Sequence, residues 1–132
     1  METMDAIFRK MVEEKASDLF ITSGLPVSAK INGELTPLNH DVLSEMESER
    51  LVRSCMSEKQ RMEFDKDKEC NFAVANDSGR FRVSAFWQRD CVGMVVRRIV
   101  TNIPDIDDLG LPSALKDVIM AKRGLVLFVG GT

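Results

Sequence analysis

The sequence predicts an α+β domain with a mostly antiparallel sheet and flanking helices, followed by the first helix and strand of a second, different domain. Three observations carry this prediction. Short segments alternating apolar and polar residues recur between turn signals over the first hundred residues. Two helix starts between them carry capping-box signatures. The closing segment, Gly124-Leu125-Val126-Leu127-Phe128-Val129, is apolar without alternation, as a strand buried on both faces in a parallel sheet should be.

Taken in order, Met4, Ile7, Phe8, Met11 and Val12 recur at helical spacing and predict a helix from Met4 to about Lys15. Ser17–Thr22 reads as a short strand closed by Ser23-Gly24-Leu25-Pro26. Residues Val27 to Asn32 alternate, and Asn32-Gly33 supplies a hairpin turn into Glu34-Leu35-Thr36. Ser44 with Glu47, and Ser57 with Gln60, each place a hydroxyl and a returning side chain where a helix begins. The charged stretch Asp65–Glu69 is the solvated end of the second of these helices. Strands are then expected over Cys70–Ala75, Arg80–Gln88 and Cys91–Val100, with a turn at Asn76-Asp77-Ser78-Gly79. Pro104 ends the sheet. Ser113 is placed to cap a last helix, ended by Lys122-Arg123-Gly124 with cations against its dipole and glycine at its C-cap. The domains so drawn are 1–102, a linker at 103–112, and 113–132.

Composition excludes several classes. The 132 residues are 44% hydrophobic and 30% charged, which suits one ordinary globular core. The longest apolar run, Leu125–Val129, is far shorter than the ~20 residues that cross a bilayer, so no membrane insertion is expected and a cytoplasmic protein is the simplest reading. Cys55, Cys70 and Cys91 form no close pair and His40 is the single histidine, so neither a metal site nor a disulfide framework is expected. A net charge of −3 disfavours nucleic acid as a partner.

Against that net charge, Arg80–Val100 concentrates Arg80, Arg82, Arg89, Arg97 and Arg98 around a single acid, Asp90. A hairpin turning symmetrically at Arg89-Asp90 puts Phe81, Val83, Ala85, Trp87, Val92, Met94 and Val96 on a core face, with Arg98 at its end. The other face then collects Arg80, Arg82, Ser84, Phe86, Gln88, Gly93, Val95 and Arg97, with Arg82 directly across from Arg97. Like charges so paired cost a few tenths to about 1 kcal/mol, a penalty that an anion or an acidic partner removes. Forked guanidinium groups suit phosphate oxygens. The bland alternative is a solvated face whose arginines pair with acids such as Asp77 or Asp90. An RNA-recognition strand fits poorly, because Phe81 and Trp87 fall on the core face.

Ala16-Ser17-Asp18-Leu19-Phe20, Gly24-Leu25-Pro26, Arg80-Phe81-Arg82-Val83-Ser84-Ala85-Phe86 and Lys122-Arg123-Gly124-Leu125-Val126-Leu127-Phe128-Val129-Gly130-Gly131-Thr132 resemble, in order and spacing, the PilT/PilU family of type IV pilus retraction ATPases. Glu69-Cys70-Asn71-Phe72-Ala73 and Val92–Ile99 are more similar to the PilU branch. The resemblance covers essentially the whole chain. It implies a PAS-like N-terminal domain ahead of the truncated start of a RecA-like ATPase domain. Gly130-Gly131-Thr132 would open the Walker A loop that cradles ATP phosphates beside Mg²⁺, with the lysine of that loop beyond Thr132. It further implies a cytoplasmic homo-hexamer acting in pilus retraction and twitching motility at an inner-membrane platform protein, beside a related retraction ATPase. In such hexamers the N-terminal domain closes over the ATP of a neighbouring subunit. Arg82 and Arg97 are then the expected arginine fingers, with Arg80 and Arg98 as further phosphate contacts. No nucleotide is expected on this chain alone, which would be inactive as a piece of a longer protein. Phe20 stands where many relatives carry histidine, so no role of that histidine transfers. The alternative from another class is a free-standing PAS-like sensor of a small ligand, or a protein adaptor. Codons reading G-x-G-K-[ST] after Thr132 would decide for the motor, and a stop codon for the adaptor.

Overall fold

The computed structural model describes residues 3–131 and divides into two compact units, Met1–Ile99 and Val100–Thr132. The first unit is built on six antiparallel strands: β1 (Asp18–Ile21), β2 (Pro26–Ile31), β3 (Glu34–Val42), β4 (Glu69–Asn76), β5 (Gly79–Gln88) and β6 (Cys91–Ile99). Their order across the sheet is β3-β2-β1-β6-β5-β4. Two three-stranded meanders therefore meet at a single long-range pairing, β1 with β6. Between them in sequence come α2 (Glu45–Ser54) and α3 (Glu58–Asp67), and α1 (Met4–Glu13) precedes all strands.

Local chemistry explains most of these boundaries. Thr3 caps α1 by accepting from the Ala6 N–H. Both expected capping boxes form: Ser44 and Glu47 start α2, and Ser57 and Gln60 start α3. Asn32 (φ 50°) and Gly33 (φ 84°) make the β2–β3 turn with both residues left-handed, the conformation this dipeptide favours. Lys68 (φ 62°) ends α3 in the same region and sends the chain directly into β4.

The core lies between one sheet face and the helices. Ile7, Phe8 and Met11 of α1, Leu51 and Val52 of α2, and Phe64 of α3 join Leu19, Ile21, Phe81, Val83, Met94 and Val96 in one buried cluster. Phe8 stacks on Phe81 with ring centroids 4.5 Å apart, which locks α1 to β5. The buried Ser48 hydroxyl donates to the Val92 carbonyl, tying α2 to β6. Arg53 bridges α2 to α3 by donating to Glu49 and Asp65, each at 2.7 Å, while its guanidinium lies 5.6 Å from the Phe64 ring centre.

Several details depart from the sequence reading. Strand β3 runs on to Val42, through Pro37, because it is an edge strand where a missing N–H costs nothing in the ladder. Helix α1 stops at Glu13. In the second unit, a 3-10 turn at Ile106–Leu109 precedes α4, which covers only Ala114–Ile119. Ser113 is itself helical (φ −57°, ψ −27°) and makes no side-chain cap, and Met120, not Gly124, closes the helix. Residues 125–129 form no strand and are exposed. A buried-type parallel strand needs partner strands on both sides, and the described residues offer none that pair with it.

Candidate functional site

The β5–β6 hairpin turns at Arg89 (φ 51°) and Asp90 (φ 62°), a two-residue left-handed turn made without glycine. The register is the symmetric one: Arg82 pairs with Arg97, Ser84 with Val95, and Phe86 with Gly93. Phe81, Val83, Ala85, Val92, Met94 and Val96 are buried, and Trp87 packs half-buried at 6.1 Å from Phe64. The opposite face is open, and it carries Arg80, Arg82 and Arg97, all exposed.

The sheet order adds what the hairpin alone does not show. Asp18 of β1 is the direct partner of Arg97 on one side and of Lys30 of β2 on the other. A single row therefore crosses four strands as Arg82, Arg97, Asp18, Lys30, with neighbouring strands about 4.8 Å apart. Arg97 Nε donates to Asp18 Oδ1 at 2.9 Å, while the Ser17 hydroxyl donates to Oδ2 at 2.9 Å. The acid side chain is 12% exposed and the arginine side chain 74%. Burial raises the pKa of Asp18, but the bonds from Arg97 and Ser17 more than offset this, holding its carboxyl below the usual value. The acid is thus a fixed anion, and the guanidinium it holds projects into solvent. Asp18, Arg82, Ser84, Val95 and Arg97 line an open concavity of about 250 Å³. Two guanidinium groups on adjacent strands, with Ser84 lining the same concavity, offer donors of the kind that suit a multiply charged oxyanion.

The expected residues do not all converge. Arg80 shares the open face one row beyond Arg82, opposite Ile99. Arg98 points to the other face, half-buried opposite Phe81, so it does not join the row. Gly130 and Gly131 lie in the second unit without regular structure, and Thr132 lies outside the described residues. The acid that pairs with an arginine of this hairpin is Asp18, rather than the Asp77 or Asp90 considered from the sequence. Sequence reasoning placed Asp18 in a strand but gave it no role. The available signal was its type, since aspartate is depleted in strand interiors and needs a partner there. Among the described residues there is no cluster of histidine, cysteine, aspartate or glutamate able to hold a metal ion, and no helix long and apolar enough to cross a membrane.

No family model matches the chain. It is 51% identical over 129 residues, 97% of its length, to the type IV pilus ATPase PilU of Pseudomonas aeruginosa, and spans 34% of that protein. It is 33% identical over 121 residues to the type IV pilus retraction ATPase PilT of the same organism, covering 91% of this chain and 35% of the relative. The chain thus spans about a third of the length of these curated relatives. The crystal structure of the pilus retraction motor PilT with bound ADP superimposes with a TM-score of 0.76 at 29% identity, over 94% of this chain and 37% of that one. The X-ray structure of the Legionella pneumophila ATPase DotB, at 23% identity and a TM-score of 0.75, shares the fold.

Proposed function

Since this chain belongs to the PilT/PilU-type pilus ATPases and matches their N-terminal region, we propose that its open sheet face meets the phosphates of ATP held by a neighbouring ATPase domain of a longer, hexameric protein. Arg82 and Arg97 act as arginine fingers there, neutralising the charge that develops on the transferring phosphoryl group. Arg80 adds long-range attraction from the next row. Gly130, Gly131 and Thr132 open the phosphate loop of a RecA-like domain that follows the PAS-like one, across a linker at 103–112. Any Mg²⁺ is held by residues of that ATPase domain, because the row offers only one acid and Arg97 already occupies it. Domain motion coupled to the phosphate contact drives pilus retraction in twitching motility, in the cytoplasm at the inner-membrane platform protein, alone or beside a related retraction ATPase.

One observation carries this reading. Two arginines stand side by side on adjacent strands with one acid between them and Lys30, leaving a net positive, solvent-facing row that folding alone does not need. In the ATPase that carries this chain, Arg82→Ala and Arg97→Ala are expected to lower kcat at least about 100-fold, the effect of removing one preorganised charge donor, while ATP affinity changes less than about threefold. Turnover at the wild-type rate in both variants would refute the assignment.

A further inference from the structure

The geometry of the Arg97–Asp18 pair goes one step beyond the two arginines, and it rests on the reading that they meet phosphate. A carboxylate beside an anion site is ordinarily a liability, because it repels the ligand. Here the carboxylate takes only the Nε edge of Arg97, through one bond of 2.9 Å, and leaves both terminal nitrogens uncommitted to it. The acid is itself held. Ser17 donates its hydroxyl to Oδ2, the β1 backbone is laddered to β2 and β6, and the Ser17 carbonyl accepts from the Arg98 N–H at 3.0 Å. Lys30 flanks it on the far side. Arg82, by contrast, has no ion pair among the described residues and stands opposite a like charge.

We infer that Asp18 is a positioning residue: it fixes the guanidinium of Arg97 by its Nε edge so that the terminal nitrogens face the phosphate alongside Arg82. Ser17 is the outer support of the same device, orienting the carboxylate as the carboxylate orients the arginine. Two effects then oppose each other when Asp18 is removed. Loss of its charge removes a repulsion that water and salt screen on an open surface, and should strengthen anion binding about two- to threefold. Loss of its hold frees a rotamer-rich side chain that repels Arg82, and re-ordering it on binding should cost about three- to tenfold. The hold outweighs the charge, so affinity falls.

The test uses the 132-residue chain, isotope-labelled, titrated into the millimolar range with inorganic tripolyphosphate, which reads the weak phosphate contact left without an ATPase domain, and followed by the Nε–H signals of its arginines. Arg82→Gln and Arg97→Gln should each weaken binding. Asp18→Ala should weaken it about threefold despite removing a negative charge, and should move the Arg97 Nε–H signal to the position of a free arginine. In the Arg97→Gln background the sign should invert: with nothing left to position, Asp18→Ala should tighten binding up to about threefold. Ser17→Ala, a milder change, should weaken binding about twofold and carries the test if Asp18→Ala unfolds. Equal or tighter binding by Asp18→Ala in the wild-type background, with the arginine variants weakened, overturns the role of Asp18 and leaves the arginines standing. Unchanged binding by both arginine variants overturns the two together.

Discussion

Gly93 shows how closely the open face is fitted at the level of single atoms. A Cβ added there would lie 2.8 Å from Cε2 and 3.1 Å from Cζ of Phe86, its cross-strand partner, and 3.4 Å from the Ile21 carbonyl. The ring occupies the space that the missing side chain vacates. Gly93 does not have a left-handed φ, so alanine suits its backbone, and the cost of Gly93→Ala is steric alone. Phe86 is half-buried and its ring can swing outward. Gly93→Ala should therefore destabilise by about 1–2 kcal/mol, at the mild end of overpacking, as measured by urea unfolding. In a Phe86→Ala background the same substitution should be nearly neutral, and an undiminished penalty would show that the ring is not what the methyl meets. At this scale the sequence was legible in part. The alternation of Phe81, Val83 and Ala85 against Val92, Met94 and Val96 permits one register with a buried face, and that register sets Arg82 against Arg97. Asp18 was not legible as the partner of Arg97, because 79 residues separate them and strand order leaves no local trace.

Among the elements, the β5–β6 hairpin holds the site with an ill-suited turn. Arg89 and Asp90 both adopt φ > 0, which costs a residue with a Cβ about 1 kcal/mol each relative to glycine or asparagine. The double change Arg89→Asn, Asp90→Gly should stabilise the first unit by about 1–2 kcal/mol and raise its denaturation midpoint, with the β5–β6 register unchanged. A lower midpoint would mean that these side chains make contacts the backbone argument omits. Helix starts were legible because the capping box is a local exchange between residues three apart. The end of the chain was legible only as a tendency. Apolar residues over Leu125–Val129 describe what that segment does among partner strands, and the structure shows it without them.

At the scale of the molecule, every buried hydrophobic side chain among the described residues lies between Met4 and Val96. The first unit is therefore self-sufficient, while α4 is six residues long and buries none of them. A helix so short is marginal in water without tertiary packing. Deleting residues 100–132 should leave cooperative thermal unfolding with a midpoint shifted by only a few degrees. In the intact chain the amides of Ala114–Ile119 should exchange within the dead time of a hydrogen-exchange measurement. Protection there comparable to β5 would show that the second unit has a stable fold of its own.

The pairing of β1 with β6 also bears on the order of events expected during folding. Each meander closes through short turns between neighbouring strands, whereas joining β1 to β6 must bring together segments separated by α2, α3 and four further strands. That pairing sets Arg97 beside Asp18. The β5–β6 hairpin sets Arg82 against Arg97 within one meander, but Asp18 reaches the Nε edge of Arg97 only where the two meanders join, so the grip on that guanidinium is completed by the seam between the halves of the sheet.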